Sequence, residues 1–169
     1  MIEQCYVMVK PGFTKPEVIQ KTINTIISKD FKLVDSSYIY YDEECARLHY
    51  IEKEVRPYFC ELVKYLTSGP AFGMIFEGED AVPAIRSIVE DLRHDLKVEC
   101  NLQTDVMRNV LHCSSKTKVG NKMLELDTQR EIALFYYLKE KTVYYLLGIS
   151  GIVSVGLLLG LFGNLSWSW

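Results

Sequence analysis

The chain has 169 residues, of which 49% are hydrophobic and 24% are charged, and its formal net charge is -3. This length supports a single core of ordinary size. The small negative charge, without a long run of lysine or arginine, argues against a nucleic-acid partner. The five cysteines include no CxxC pair, which argues against a zinc site and a disulfide framework. We therefore expect one globular domain in a reducing compartment, with no metal site built by protein ligands alone.

Strand and helix patterns alternate along most of the chain. In chain order, the sequence predicts a strand at 4–10, a helix at 16–30, a strand at 31–41, a short helix through 50, a helix at 58–66, a strand at 71–77, a helix at 80–92, a short strand at 102–107 and a helix at 129–138. The first helix begins at Pro16, after which Val18, Ile19, Ile23 and Ile26 recur at helical spacing. The alternation predicts the α+β class, with a split β-α-β sandwich around a four-stranded antiparallel sheet.

The C-terminal segment differs from the rest of the chain, since residues 142–169 contain no charged side chain. Within it, residues 143–162 are almost entirely apolar. About 20 residues at a helical rise of 1.5 Å span roughly 30 Å, which is the thickness of a bilayer core. Lys139 and Lys141 precede the run and suit the cytosolic interface, while Trp167 follows it and suits the far interface.

This pattern predicts a single-pass tail anchor through residues 142–163. The domain at 1–141 would face the cytosol, and the tail would comprise 142–169. The alternative is a core helix that closes the domain, although such a helix normally carries a polar stripe. The N-terminus shows no apolar run behind a basic start, so no secretory signal is expected. The sequence leaves open which membrane would receive the tail.

Three motifs carry a resemblance to a known family. The first is HYIEKEVRPYF at 49–59, which continues through an apolar helix to SGP at 68–70. The second is VMVKPG at 7–12, and the third is RNVLHCS at 108–114. Over residues 3–138, the chain resembles the nucleoside diphosphate kinases, whose signatures are MIKPDG, HY followed by RPFF and SGP, and RNIIHGS.

The resemblance implies a ferredoxin-like fold and a ping-pong reaction. The γ-phosphate of a nucleoside triphosphate would pass to a nucleoside diphosphate through a phosphohistidine intermediate. His112 would be the nucleophile, because an imidazole with an unperturbed pKa of about 6.5 is neutral near pH 7. The transferring oxygens need positive charge around them, and Mg²⁺ would enter with the nucleotide phosphates.

The resemblance also implies roles for the residues around His112. It assigns nucleotide or phosphate contacts to Lys10, Tyr50, Arg56, Tyr58, Arg86 and Asn109. Of these, Asn109 would bond the sugar hydroxyl, and Tyr58 would stack on the base in place of the family's usual phenylalanine. Ser114 and Glu131 would orient the histidine. About eight extra residues separate Glu131 from His112 here, so a plain surface charge is the alternative for Glu131.

The segment before the histidine motif departs from the family pattern. Leu92 replaces a threonine that touches phosphate, Glu99 falls near the place of an arginine that does so, and the loop is shorter by about four residues. Arg93 or Lys97 could reach in to supply the missing charge. The same loop packs subunits together in the family, so we expect a homo-oligomer that is a dimer rather than the usual hexamer.

Two other interpretations compete with an active kinase. The rebuilt loop fits a membrane-anchored nucleotide-binding or scaffold module that has lost turnover. An unrelated ferredoxin-like protein is the second alternative. Labelling of His112 by ATP, followed by transfer of the label to GDP, distinguishes a kinase from both.

Overall fold

A computed structural model describes residues 2–99, 109–115, 117–119, 122–124 and 126–147. Its strands are β1 (Ile2–Val9), β2 (Lys32–Ile39), β3 (Ala71–Glu79), β4 (Leu111–Cys113), β5 (Thr117–Val119) and β6 (Lys122–Leu124). Its helices are α1 (Pro16–Ile27), α2 (Glu43–His49), α3 (Phe59–Leu66), α4 (Ala81–Glu99) and α5 (Leu126–Leu146), with a 3₁₀ turn at Ile51–Lys53. The strand predicted at 102–107 falls outside the described residues.

Two helices begin where the sequence predicts. Pro16 occupies the first turn of α1, where its fixed φ suits the helix and its missing N–H has no helical partner to lose. Asp42 caps α2, because its side chain accepts the backbone N–H of Cys45 at 2.8 Å. This cap fixes the start of α2, which ends at His49, so that Tyr50 is the first residue after the helix.

The predicted four-stranded antiparallel sheet is confirmed, and its strand order is β2-β3-β1-β4. This is the strand order of a ferredoxin-like sandwich. The central strand β1 pairs with β3 on one side and with β4 on the other, so that Met8 lies opposite both Gly73 and His112. The sheet therefore places the candidate histidine beside the end of the strand that leads to Lys10.

Successive β1 side chains point to opposite faces of the sheet, which gives the domain two cores. The core against α2, α3 and α5 includes Tyr6, Met8, Ile75 and Phe135. The core against α1 and α4 includes Val7, Val9, Ile26, Phe76 and Ile85. Helices thus cover both faces of the sheet. The candidate functional side chains come from helices on both faces.

Gly73 allows α5 to lie close to the sheet. A Cβ atom at this position would come within 2.6 Å of Cδ2 of Phe135, so even alanine would displace the ring. Glu131 lies about one helical turn before Phe135 on the same side of α5. The close approach of α5 therefore brings Glu131 toward the sheet near His112.

Two helices are longer than predicted. The helix α4 extends to Glu99 rather than ending near residue 92, because Val89, Leu92 and Leu96 continue its buried stripe. The helix α5 covers Leu126–Leu146 rather than 129–138. The β5–β6 hairpin has no counterpart among the predicted elements, and neither has β4, since the fourth strand was predicted at 102–107 rather than at Leu111–Cys113.

The boundary predicted after Lys141 falls inside the continuous helix α5. Lys139 pairs with Asp35 at 2.7 Å, and Lys141 pairs with Asp42, so both lysines contact the globular domain. The predicted anchor at 142–163 lies outside the described residues from position 148 onward. Among the helices that the structure does describe, none has the length and apolar character needed to cross a bilayer.

Candidate functional site

A cavity of about 590 Å³ lies beside β1 and β4 and collects most of the predicted site residues. Its cationic side chains are Lys10, Lys53, Arg86 and Arg93. Its carboxylates are Glu52 and Glu131, and its other polar groups include Tyr50, Tyr58, Asn109 and His112. Four cations against two carboxylates favour an anionic ligand. A second cavity of about 420 Å³, near Glu3 and Thr128, contains none of these side chains.

His112 lies on β4 and is held by the carboxylate of Glu131. The distance from His112 Nε2 to Glu131 Oε1 is 2.7 Å. An ionised carboxylate can only accept a hydrogen bond, so Nε2 carries the proton and Nδ1 keeps its lone pair. Among the described residues, none forms a hydrogen bond with Nδ1. The structure thus gives His112 one fixed nitrogen and one that is open to an electrophile.

A short chain of hydrogen bonds fixes the Glu131 carboxylate in turn. The buried hydroxyl of Ser114 donates to Glu131 Oε2 at 2.5 Å. The same hydroxyl accepts the backbone N–H of Tyr6 at 3.3 Å. Both predicted orienting residues therefore act on His112, and the surface-charge alternative for Glu131 is wrong because its side chain is buried.

The surroundings of His112 keep its imidazole neutral. Burial lowers the pKa of His112 well below its usual value, and the positive charges of Lys10, Lys53, Arg93 and Arg86 lower it further. A cationic imidazole has no lone pair on Nδ1, so this shift preserves the nucleophilic form at pH 7 and below. The charges that favour an anionic ligand in the cavity thus also keep the imidazole of His112 neutral.

His49 supports the ring of His112 from the side. The two rings meet edge to face, with centroids 4.6 Å apart. His49 is fully buried, and its Nδ1 lies 3.3 Å from the hydroxyl of Tyr41. Burial, followed by the nearby His112, lowers the pKa of His49 well below its usual value. Sequence reasoning missed this packing role, although the neighbouring Tyr50 in the same motif had been singled out.

The sequence predicts no protein metal site, but the structure brings three possible ligands together. Ligand atoms of His49, His112 and Glu131 lie within 4.8 Å of one another. Two nitrogens and a carboxylate are ligands for a transition metal rather than for Mg²⁺. However, the 2.7 Å hydrogen bond leaves no room for an ion, since zinc bonds of about 2.0–2.2 Å hold their ligand atoms roughly 3.3 Å apart. The cluster is therefore an orienting network.

Lys10 is the most buried cation of the cavity, with 4% of its surface exposed. It follows β1, and its backbone N–H donates to the carbonyl of Val110 at 2.9 Å. Burial lowers the pKa of Lys10 to about 7, and the charges of Arg93 and Lys53 add to the effect. An anion beside its ammonium group would reverse this shift.

Two buried polar atoms at the cavity have no hydrogen-bond partner within the described residues. They are the hydroxyl oxygen of Tyr50 and Oδ1 of Asn109. A buried polar atom without a partner carries a desolvation cost, which a bound ligand relieves. Tyr58 also lies at the cavity and is 40% exposed, so its ring is accessible to a flat group.

One predicted site residue does not join the others. Arg56 is exposed in the turn before α3 and does not line the cavity, so its predicted phosphate contact has no support from the geometry. Lys53, three residues earlier in the same motif, lies there instead, with Nζ 4.5 Å from the Tyr50 ring. Lys53, rather than Arg56, is therefore the cation of this motif that lines the cavity, and the phosphate contact of Arg56 stays a prediction.

The substituted positions on α4 point away from the cavity. Leu92 is 4% exposed and belongs to the core, and Glu99 forms an ion pair with Lys21 at 2.5 Å. Arg93, by contrast, lines the cavity, and its Nε donates to the carbonyl of Leu111 at 3.0 Å. The side chain of Lys97, the other candidate to supply charge, is outside the described part of the chain.

Comparison with known proteins agrees with this geometry. The family model for nucleoside diphosphate kinase matches residues 3–143. The nucleoside diphosphate kinase of Natronomonas pharaonis is 34% identical over 140 residues, covering 79% of this chain and 86% of its own. That of Staphylococcus epidermidis is 30% identical over 148 residues, covering 85% and 99%.

Solved structures give the same result. A halophilic nucleoside diphosphate kinase from Halobacterium salinarum, in complex with CDP, is 32% identical with a TM-score of 0.64, covering 80% of this chain and 88% of its own. The Aquifex aeolicus nucleoside diphosphate kinase is 25% identical with a TM-score of 0.65, covering 80% and 95%. The chain belongs to the nucleoside diphosphate kinase family.

Proposed function

We propose that this chain transfers the γ-phosphoryl group of a nucleoside triphosphate to a nucleoside diphosphate through His112. The observation that supports this most is the 2.7 Å hydrogen bond between His112 Nε2 and the buried carboxylate of Glu131. It leaves the Nδ1 lone pair available in a cavity that carries excess positive charge. A neutral, oriented imidazole next to cations is what nucleophilic attack on a phosphoryl group requires.

In the first half of the reaction, the lone pair of His112 Nδ1 attacks the γ-phosphorus. The bond from this phosphorus to the β–γ bridging oxygen breaks, and the diphosphate leaves with the bonding electrons. A terminal oxygen of the acceptor diphosphate then attacks the phosphohistidine, and Nδ1 recovers its lone pair. Glu131 accepts a hydrogen bond from the Nε2–H group throughout and stabilises the positive charge that develops on the ring.

The cations of the cavity offset the charge on the phosphates. Lys10 and Arg86 are two of the predicted phosphate contacts, and both line the cavity. Because Lys10 is held in a buried position, its charge interacts with phosphate more strongly than that of an exposed lysine. Tyr50 contributes a hydroxyl that lacks a partner within the described chain.

Magnesium fits this cavity as a companion of the nucleotide. Both oxygens of Glu131 already accept hydrogen bonds from His112 and Ser114, so they are unsuited to a cation. Glu52 is the other carboxylate, and it pairs with Arg130 at 3.1 Å. The phosphates and water therefore supply the ligands of Mg²⁺, which neutralises part of the phosphate charge when bound.

The sugar and the base of the nucleotide would contact groups that do not distinguish one base from another. Asn109 Oδ1 can accept a hydrogen bond from a sugar hydroxyl, since it lacks a partner among the described residues. The half-exposed ring of Tyr58 offers a flat surface to any base. We therefore expect the chain to accept several nucleotides with similar efficiency.

The decisive experiment is incubation of the full chain with γ-labelled ATP and Mg²⁺, followed by addition of GDP. We expect an acid-labile, alkali-stable label on His112 that moves to GTP. The His112→Asn variant should take up no label, whereas His94→Asn serves as the matched control because His94 is exposed and outside the cavity. If ATP binds but no label forms, the chain is the nucleotide-binding or scaffold module instead.

We also propose that residues 142–163 tether the domain to a membrane, with the domain facing the cytosol. The support is the uncharged, apolar sequence of this segment and its length. Flotation of the full chain with phospholipid vesicles, compared with a chain that ends at Leu147, tests the tether. Equal recovery of both chains in the vesicle-free fraction would contradict it.

A homo-oligomer, specifically a dimer, completes the proposed description. Its support is the shortened segment at 92–102, whose counterpart in the family packs subunits of a hexamer together. Sedimentation of the chain that ends at Leu147 measures the mass directly. A hexamer or a monomer at micromolar concentration would contradict the proposed dimer.

A further inference from the structure

Arg93 lies at the cavity although no motif of the family includes it. It sits seven residues after Arg86 on α4, which is close to two full helical turns, so the two arginines share a face of the helix. Both line the cavity that contains His112. The neighbouring stripe of Ile85, Val89 and Leu92 is buried in the core.

A hydrogen bond from Nε holds the guanidinium group of Arg93 in place. Its Nε donates to the carbonyl of Leu111 at 3.0 Å, and Leu111 immediately precedes His112 on β4. The bond therefore ties Arg93 to the strand that carries the nucleophile. A guanidinium has five N–H donors, so the four on its two Nη atoms are left for other partners.

Among the described residues, no carboxylate forms an ion pair with Arg93, although the charge of Glu90 on the same helix acts on it from a longer distance. Arg86, by contrast, forms an ion pair with Glu90 at 3.3 Å. The charge of Arg93 reaches the reacting groups, because it lowers the pKa of both Lys10 and His112. A half-buried arginine without an anionic partner, beside a buried lysine, is a costly arrangement unless an anion binds there.

The altered residues around Arg93 explain why a new cation is needed. Leu92 is part of the core and Glu99 pairs with Lys21, so neither can bind phosphate. Placing Leu92 in the core turns the next residue, Arg93, toward the cavity. Arg93 therefore lies where it can supply a phosphate contact in place of the one that is missing at Leu92.

We propose that Arg93 binds the phosphates of the nucleotide and stabilises the phosphoryl group during its transfer to His112. The inference rests on the proposed phosphotransfer function. Arginine suits this role, because its planar fork donates two hydrogen bonds to phosphate oxygens at once. As the bond to the leaving oxygen breaks, charge is shared over the oxygens of the transferring group, and Arg93 donates to them.

The test compares Arg93→Ala and Arg93→Lys with the wild type, using Arg47→Ala as the control. Arg47 is an arginine of α2 that lies outside the cavity. In a single turnover with ATP and Mg²⁺, the rate of His112 labelling should fall roughly 10- to 150-fold in Arg93→Ala, the effect of one lost charged hydrogen bond. Lysine should restore only part of the rate, since it lacks the fork.

Binding measurements separate this role from a purely structural one. Equilibrium dialysis should show weaker binding of ATP and inorganic tripolyphosphate to Arg93→Ala, with the affinity for adenosine unchanged. An equal loss for all three ligands would mean that Arg93 only supports the fold. A labelling rate and a tripolyphosphate affinity within threefold of wild type would overturn the proposal.

The same measurements keep the two proposals distinguishable. If the wild type binds ATP without labelling His112, the proposed kinase activity fails. The tripolyphosphate comparison still decides whether Arg93 binds phosphate in that case. If the wild type is labelled and Arg93→Ala is labelled equally fast, only the inference about Arg93 fails.

Discussion

The two sides of the cavity are built differently. On the β4–α5 side, the buried Glu131 carboxylate has a hydrogen bond to His112 and another to Ser114. On the α4 side, Leu92 has joined the core and Glu99 pairs with a lysine of α1. A buried network changes only at a large cost, because each lost partner leaves a polar group unsatisfied. A helix surface can exchange one cation for another at little cost.

The largest effect that this comparison predicts is on the β4–α5 side. We expect the His112→Asn variant to lose labelling by ATP completely, because the lone pair of the amide nitrogen is delocalised into the carbonyl group and is not nucleophilic. ATP affinity should remain within a few fold of wild type, since the cations are untouched. Quantitative labelling together with dialysis checks both expectations, and any GTP formed by the variant would locate the nucleophile elsewhere.

Glu131→Gln should cost somewhat less. The amide keeps the size of the side chain but lacks the charge that stabilises the developing imidazolium. Loss of one charged hydrogen bond corresponds to about 10- to 150-fold in the labelling rate. Gln129→Glu on the exposed face of the same helix is a suitable control. A rate equal to that of wild type would show that the charge of Glu131 does not stabilise the imidazolium.

The pH dependence of binding should be a smaller effect. Lys10 has a pKa of about 7 in the free protein, and a bound phosphate favours its protonated form. Binding therefore takes up a proton above pH 7, and tripolyphosphate affinity should fall by up to about tenfold per pH unit as pH rises from 7 to 9. Titration calorimetry in buffers of different ionisation enthalpy counts the protons, and Lys10→Met should take up fewer.

The last prediction concerns the stability of the fold in acid rather than the reaction. The folded-state pKa values of His49 and His112 are depressed below those of the unfolded chain, so below about pH 6.5 the unfolded chain binds more protons. The free energy of unfolding should fall with decreasing pH by up to about 1.4 kcal/mol per pH unit for each histidine. Urea unfolding from pH 7 to 5 should show a shallower slope for His49→Gln, and an equal slope would contradict this account.

The sequence predicted the sheet, the histidine and most of its neighbours, because these residues lie in short motifs attached to regular elements. It could not decide the role of Glu131, since extra residues separate it from His112. The β5–β6 hairpin lies in that interval. The extra residues therefore form a hairpin between His112 and Glu131 and do not move the two side chains apart.

Other differences between the predictions and the structure concern the direction in which side chains point. In irregular segments, the spacing of residues along the sequence does not determine this direction. Arg56 belongs to the right motif but is exposed in a turn, whereas Lys53 lies at the cavity. The end of α4 was placed too early, because the charged residues after Leu92 obscured the buried positions that continue the helix to Glu99. The sequence offered Arg93 and Lys97 as alternatives to the missing phosphate-binding arginine. The structure favours Arg93, because its side chain lines the cavity.

The continuous helix α5 has a mechanical consequence. Glu131 and Leu146 lie 15 residues apart on one rod, which corresponds to about 22 Å. Ion pairs from Lys139 and Lys141 fasten this rod to β2 and to the start of α2. The end of the helix at Leu146 therefore has a fixed position and direction relative to His112. One residue inserted after Lys141 would turn that end by about 100° and advance it by about 1.5 Å, with no change at the histidine.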